Sequence, residues 1–196
     1  MKNFKIIAVL FSVFIISTTA FAQNSGERIT GTVLSYGSGF NTRTSTNQFD
    51  LTINEQTSDA DAQRFLGLLQ TSGQTELLDA IKGKEVGRFS FTGSVARDVN
   101  VIREKETNGM RHIYVVFERW MQVGELRGGY RSIDYPFTYI ELMIDPRTGK
   151  GEGTFIAAAQ IRWKKDKDTG AFRVEVEDFA TFPSRLLNVR TNIGRR

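Results

Sequence analysis

Glu141 stands between Ile140 and Leu142, in a run that reads as a strand over residues 137–144. A carboxylate drawn into apolar surroundings has its pKa raised, which is what a general acid needs. Partnered by a second carboxylate such as Asp134, it would suit hydrolysis of a polymer, provided that the two groups converge to roughly 5 to 9 Å. The plainer reading puts Ile140, Leu142 and Ile144 in the core and Glu141 on the wet face of the strand. A second cluster precedes it. Residues 127–137 gather two glycines, two arginines and three aromatics, a loop composition suited to clasping an anionic or flat ligand. The candidate ligand-binding residues are therefore Arg127, Tyr130, Arg131, Asp134, Tyr135 and Glu141. The competing reading makes Tyr135 and Phe137 core residues and lets Pro136 open the strand.

Other chemistries fail on residue type. His112 is the only histidine and there is no cysteine, which excludes zinc sites built on several histidines, thiolate metal sites and cysteine nucleophiles. A Ser-His-Asp triad would have to use His112, yet no Gly-x-Ser-x-Gly elbow or Ser-x-x-Lys motif supplies its nucleophile. Asp166-Lys167-Asp168-Thr169-Gly170 alternates oxygen ligands ahead of a glycine. A third ligand is missing, and position 12 falls on Glu177 inside a strand-like run, so the segment reads as a turn and not as a calcium loop. Gly37-Ser38-Gly39 and Gly151-Glu152-Gly153 lack the third glycine and the strand-to-helix setting of a dinucleotide site, and read as turns or bulges. No catalytic residue, cofactor or metal is assigned.

The elements that would position these residues are mostly strands. Residues 28–36 and 47–55 read as strands, and in the second Phe49, Leu51 and Ile53 alternate with polar neighbours. Ser58, followed by Asp59 and Asp61, caps a helix whose apolar face is Ala62, Phe65, Leu66 and Leu69. Gly73 ends it, and a second helix with Leu77, Leu78 and Ile81 runs to Gly83. Asn108-Gly109 predicts a tight turn between strands 99–106 and 111–118, because both residues accept positive φ. Residues 120–126 read as one or two helical turns, ended by Gly128-Gly129. The last third reads as an antiparallel meander over 137–144, 153–163, 172–177 and 185–190, with Phe155, Ala157, Ala159, Ile161 and Trp163 sharing one face. The expected fold is a single α+β domain. A mainly antiparallel sheet of about seven to nine strands, curled or partly closed into a barrel, is covered on one side or end by the helical hairpin.

The first 22 residues carry an address. Lys2 and Lys5 precede the apolar run 6–16, and Ala20-Phe21-Ala22 presents small residues where a signal peptidase reads. Cleavage there leaves a short tail at 23–27, a globular domain at 28–190 and a polar tail at 191–196. It also removes two of the charges behind the net +4, leaving a nearly balanced protein. Lys164, Lys165 and Lys167 are interleaved with Asp166 and Asp168, so no basic face for nucleic acid is expected. Beyond the leader the longest apolar run is 155–159, far short of the roughly 20 residues of a membrane span. With no cysteine after Ala22 to carry a lipid, the expected product is soluble, periplasmic or extracellular, and stable without disulfides.

Several segments resemble a group of uncharacterised exported bacterial proteins: Thr57-Ser58-Asp59 with Gln63 and Leu77-Leu78, residues 131–137 followed by Ile140-Glu141-Leu142, Gly151-Glu152-Gly153, and residues 183–190. The resemblance implies export and transfers no site. The leading functional expectation is a non-enzymatic exported binding or scaffold protein, with a cavity between sheet and helices for an apolar or envelope-derived small ligand. The alternatives are a carboxylate-dependent hydrolase acting on envelope or extracellular polymers, and a module that pairs through a sheet edge.

Overall fold

The computed structural model describes residues 26–36, 43–119, 131–165, 171–180 and 182–193. The expected leader 1–22, most of the loop 37–45, the turn 166–170, the segment 120–126, Arg127 and Tyr130 lie wholly or largely outside them. Ten strands and two helices follow in order: β1 (Glu27–Ser35), β2 (Ser45–Ile53), α1 (Asp59–Thr71), α2 (Gln74–Ile81), β3 (Gly87–Phe91), β4 (Arg97–Val99), β5 (Val101–Thr107), β6 (Met110–Glu118), β7 (Phe137–Asp145), β8 (Lys150–Lys165), β9 (Phe172–Asp178) and β10 (Ser184–Thr191). The fold is a single α+β domain, an antiparallel sheet rolled into a nearly closed barrel with a helical hairpin outside it.

Sheet order is β4-β3-β2-β1-β10-β8-β7-β6-β5, with β9 attached to β8. The two ends of that order, β4 and β5, are one bent strand interrupted at Asn100. This bend closes the barrel. The Asn100 backbone N–H donates to Val116 O at 3.3 Å, its side-chain amide donates to Lys84 O at 2.8 Å, and its side-chain oxygen accepts from Glu118 N at 3.0 Å. The free edge of β5 is finished by Thr57, whose N–H donates to Ile102 O while its hydroxyl accepts from Ile102 N. Both residues are buried, and their polar groups satisfy backbone that would otherwise be orphaned.

Strand alternation divides the apolar residues into two cores. Inward positions such as Ile29, Leu51, Ile113, Ile140, Leu142 and Leu186 fill the barrel. They surround a group of rings in which Phe89 lies within 5.2–5.9 Å of Phe49, Phe91, Phe117 and Phe155. Outward positions Phe137, Tyr139, Ile156, Ala159, Ile161, Val174 and Val176 form the second core with Phe65 and Leu69 of α1 and Leu77 and Ile81 of α2. The expected common face for Phe155 and Trp163 needs correction. Tyr139 pairs with Ile156 but Phe137 pairs with Ala159, so one extra residue bulges out of β8 and flips the alternation. Phe155 points into the barrel, and Ala159 and Ile161 point out toward the helices.

Gly151 and Gly153 are not in a turn either. They lie within β8 opposite Ile144 and Leu142, where a Cβ would come within 2.1 Å of the Met143 and Glu141 carbonyl oxygens. The backbones cross too closely there for any side chain. The last strand also departs from a simple meander, since β10 leaves β9 and inserts between β1 and β8. Asn188 adopts φ 53° at a register shift between Leu186 and Val189. The bulge lets both residues face the core although they are three apart.

One mouth of the barrel is shut by charge. Glu27 of β1, Glu104 of β5 and Arg111 of β6 occupy inward positions by strand parity. Arg111 grips Glu27 with two hydrogen bonds of 2.5 and 2.6 Å and bonds Glu104 through Nε and Nη2. Thr191 donates to Glu27 at 2.6 Å and Gln56 to Glu104 at 2.9 Å. Glu27 is 3% exposed. Despite the burial that opposes it, the two carboxylates raise the Arg111 pKa further above its ordinary value.

Asp178, at the end of β9, shares the side of that strand on which Val174 and Val176 lie and pairs with Ala159. Burial pushes its carboxyl up to about 6, against the Ala180 N–H that bonds its Oδ1 at 2.9 Å. The native state thus binds this proton more tightly than the unfolded chain does. The Asp178 contribution to stability is greatest at low pH and declines as pH rises from about 4 to 6. Asp178→Asn keeps the Ala180 bond and should stabilise the protein by on the order of 1 kcal/mol at pH 7, less than the whole shift because water still screens the group. Urea unfolding of both proteins checks this: the advantage of the variant should be near zero at pH 4 and level off above pH 6.

Candidate functional site

The helical hairpin follows from apolar spacing. Ala62, Phe65 and Leu69 recur on one face of α1 and Leu77 and Ile81 on one face of α2. Ser58 caps α1 by accepting from Asp61 N at 3.1 Å, and Gly73, at φ 94°, turns the chain into α2. This face lies over the outside of the sheet without filling the space beneath it. A cavity of about 90 Å³ remains. The hairpin contributes Ala62, Phe65, Leu66, Leu69, Leu77 and Ile81; the sheet contributes Val101, Val116, Tyr139, Ile161, Val174 and Val176. Arg103 and Tyr114 complete the wall, and the surface it presents is almost wholly apolar. The cavity is smaller than the roughly 150 Å³ apolar cavity that can take up benzene, so the space receives part of an apolar group and not a whole large ligand.

Beside the cavity lies a small polar group. Tyr139 is buried and its hydroxyl donates to Glu141 Oε2 at 3.4 Å, while His112 Nδ1 lies 3.9 Å from Glu141 Oε1. Tyr114 pairs with Glu141 across β6 and β7, and its ring stacks on His112 with centroids 6.4 Å apart. Burial raises the Tyr139 pKa well above the ordinary phenol value, with the Glu141 carboxylate adding to it, and the same two causes raise that of Tyr114. Both phenols therefore remain neutral at physiological pH. They can donate hydrogen bonds and do not serve as bases. Among the described residues, the buried His112 Nδ1 has no hydrogen-bond partner.

Of the residues expected from sequence to form one site, the described side chains of Asp134, Tyr135 and Glu141 stand in different surroundings. Glu141 side-chain exposure is 24%, between the buried acid and the wet-face residue, and it stands on the outer face with Ile140 and Leu142 behind it at 0%. Asp134 is exposed in a 3-10 turn, Arg131–Asp134, that precedes β7, and its carbonyl accepts from Gln74 Nε2 at 2.9 Å. Phe137 to Glu141 alone spans roughly 13 Å of strand, and Asp134 lies on the far side of Phe137. The two carboxylates do not converge. Tyr135 is 7% exposed; it donates to Glu177 at 2.9 Å and meets Phe179 edge-on, which is a packing role. Among the described residues no cluster of three or more His, Asp or Glu could hold a metal ion, and no helix is long and apolar enough to cross a membrane.

Sequence reasoning found Glu141 and missed its company. Tyr114 and Tyr139 look like ordinary strand aromatics until the register of β6 against β7 sets one beside the carboxylate and the other two residues away. Comparison with protein-family models, curated proteins and solved structures finds no match to this chain.

Proposed function

We propose that this is an exported, non-enzymatic binding protein that holds the apolar part of a small molecule between its helical hairpin and the outer face of its barrel. The observation that carries this reading is the cavity itself, apolar on nearly all of its surface and left open where two amphipathic helices could have closed on the sheet. Unfilled apolar space costs stability through lost dispersion contacts, so a fold that keeps it gains from filling it with a ligand. Export is supported by the charged, apolar and small-residue pattern of residues 1–22. Titration with n-hexanol, followed by NMR, tests the reading. The methyl signals of Leu69, Val116 and Val176 should shift saturably while those of Ile113 and Leu142, inside the barrel, stay in place. Shifts spread evenly over the molecule, or none at all, would overturn it.

A further inference from the structure

Next to the cavity wall, within reach of the Tyr139 hydroxyl, stands the Glu141 carboxylate, and this neighbour selects a class of ligand. Outside the barrel, strand register lays side chains in parallel rows. Val101, Val116, Tyr139 and Ile156 form one row; Arg103, Tyr114, Glu141 and Thr154 the next; Lys105, His112, Met143 and Glu152 the third. The first row contributes to the cavity floor and the third is polar apart from Met143. The change from apolar to polar thus falls beside the Tyr139 hydroxyl, which reaches the Glu141 carboxylate at 3.4 Å.

In the middle row the two opposite charges are not equivalent. Arg103 is already used: it donates to the Thr57 carbonyl at 2.7 Å and to Asp59 at 2.6 Å, tying β5 to the start of α1. Glu141 is not. Among the described residues its carboxylate accepts only the long bond from Tyr139, and its one neighbouring nitrogen, His112 Nδ1, is too far away at 3.9 Å to be hydrogen-bonded. A partly desolvated carboxylate without a cation in contact is a favourable place for a donor. The rings of Tyr114 and Tyr139 beside it add the electron-rich faces that favour an ammonium group.

We propose that the ligand is an amphipathic amine, with its alkyl or aryl part beneath the hairpin and its ammonium group at Glu141, between Tyr114 and Tyr139. This rests on the cavity being a binding site. A carboxylate head would meet the Glu141 charge with Arg103 already engaged, and a wholly apolar ligand would leave Glu141 as poorly solvated as before.

Three probes with one tail separate the possibilities: n-hexylamine, n-hexanol and hexanoate, each titrated into the protein at pH 7.5 and followed by NMR at Tyr114, Val116 and Leu69. The amine should bind at least tenfold more tightly than hexanoate, with the alcohol between them, and Glu141→Gln should reduce the amine-to-hexanoate ratio at least fivefold. Equal binding of amine and hexanoate, preference for hexanoate, or a ratio untouched by Glu141→Gln would overturn the inference and leave the cavity reading in place. If none of the three binds, the cavity reading itself fails and the inference with it.

Discussion

Gly153→Ala is expected to lower the melting temperature by about 10 °C, the result of a loss of about 3 kcal/mol in a protein of this size. The added methyl would start 2.1 Å from the Glu141 carbonyl oxygen and 3.1 Å from Leu142 Cα. A flexible side chain could swing away from such a contact. Backbone held in a ladder on both sides cannot, because β7 is paired with β6 as well as with β8. The strain must therefore move β7 or open the β7–β8 pairing. Thermal unfolding followed by circular dichroism gives the size of the effect, and a change below about 1 kcal/mol would show that the barrel bends more easily at this crossing than its geometry implies. The same substitution displaces the backbone of Glu141, so the amine-to-hexanoate ratio should fall with it.

Arg111→Met should cost about 3 to 5 kcal/mol, since it removes the cation that pairs with both carboxylates at the barrel mouth and leaves Glu27, 3% exposed, without that counter-charge. The loss comes mainly from stranded charge and not from lost packing, which a second variant separates. Replacing Glu27, Glu104 and Arg111 together by Leu, Leu and Met should recover most of the stability, because an apolar plug of similar volume needs no counter-charges. Denaturant unfolding of the two variants decides between the accounts. If the triple variant is as unstable as Arg111→Met, the mouth depends on the shape and hydrogen bonds of the ionic group, including those from Thr191 and Gln56.

Local chemistry was readable along the chain wherever neighbours in sequence decide the outcome. Phe49, Leu51 and Ile53 point inward as their alternation predicts. Asn108 and Gly109 take φ of 54° and 72° in the turn between β5 and β6, and Ser58 caps α1. Long-range pairing was not readable. The barrel closes at Asn100 because β4 and β5 find partners at opposite ends of the sheet order, and β10 pairs with β1 over a separation of more than 150 residues. Nothing in the vicinity of Asn100 or Ser184 announces either event. Glu27 was expected in the tail ahead of the first strand but opens β1, and only knowing which face turns inward reveals it, with Glu104 and Arg111, as a plug. The bulge in β8 had the same effect on Phe155, where one extra residue sends a ring into the barrel that simple alternation assigns to the outside.

The same distinction applies to the site. Leu69, Leu77 and Ile81 were visible as the apolar face of a hairpin, but a face says nothing of how closely it meets the sheet. Glu141 was visible as an oddity in an apolar strand. Its significance came from Tyr139 two residues before it and from Tyr114 across the ladder, the second set by the register of β6 against β7.

Filling the space beneath the hairpin decides whether it receives an apolar group. Ala62 of α1 and Val116 of β6 both line the cavity, and Ala62→Leu or Val116→Leu adds carbon where no atom now stands. Titration of n-hexanol into the protein and into both variants, with folding verified by the unchanged methyl spectrum of the barrel core, provides the comparison. At least a tenfold loss of affinity in both variants, with Tm maintained or raised, is the result the cavity predicts; hexanol binding that is undiminished in both would place the ligand elsewhere and contradict it.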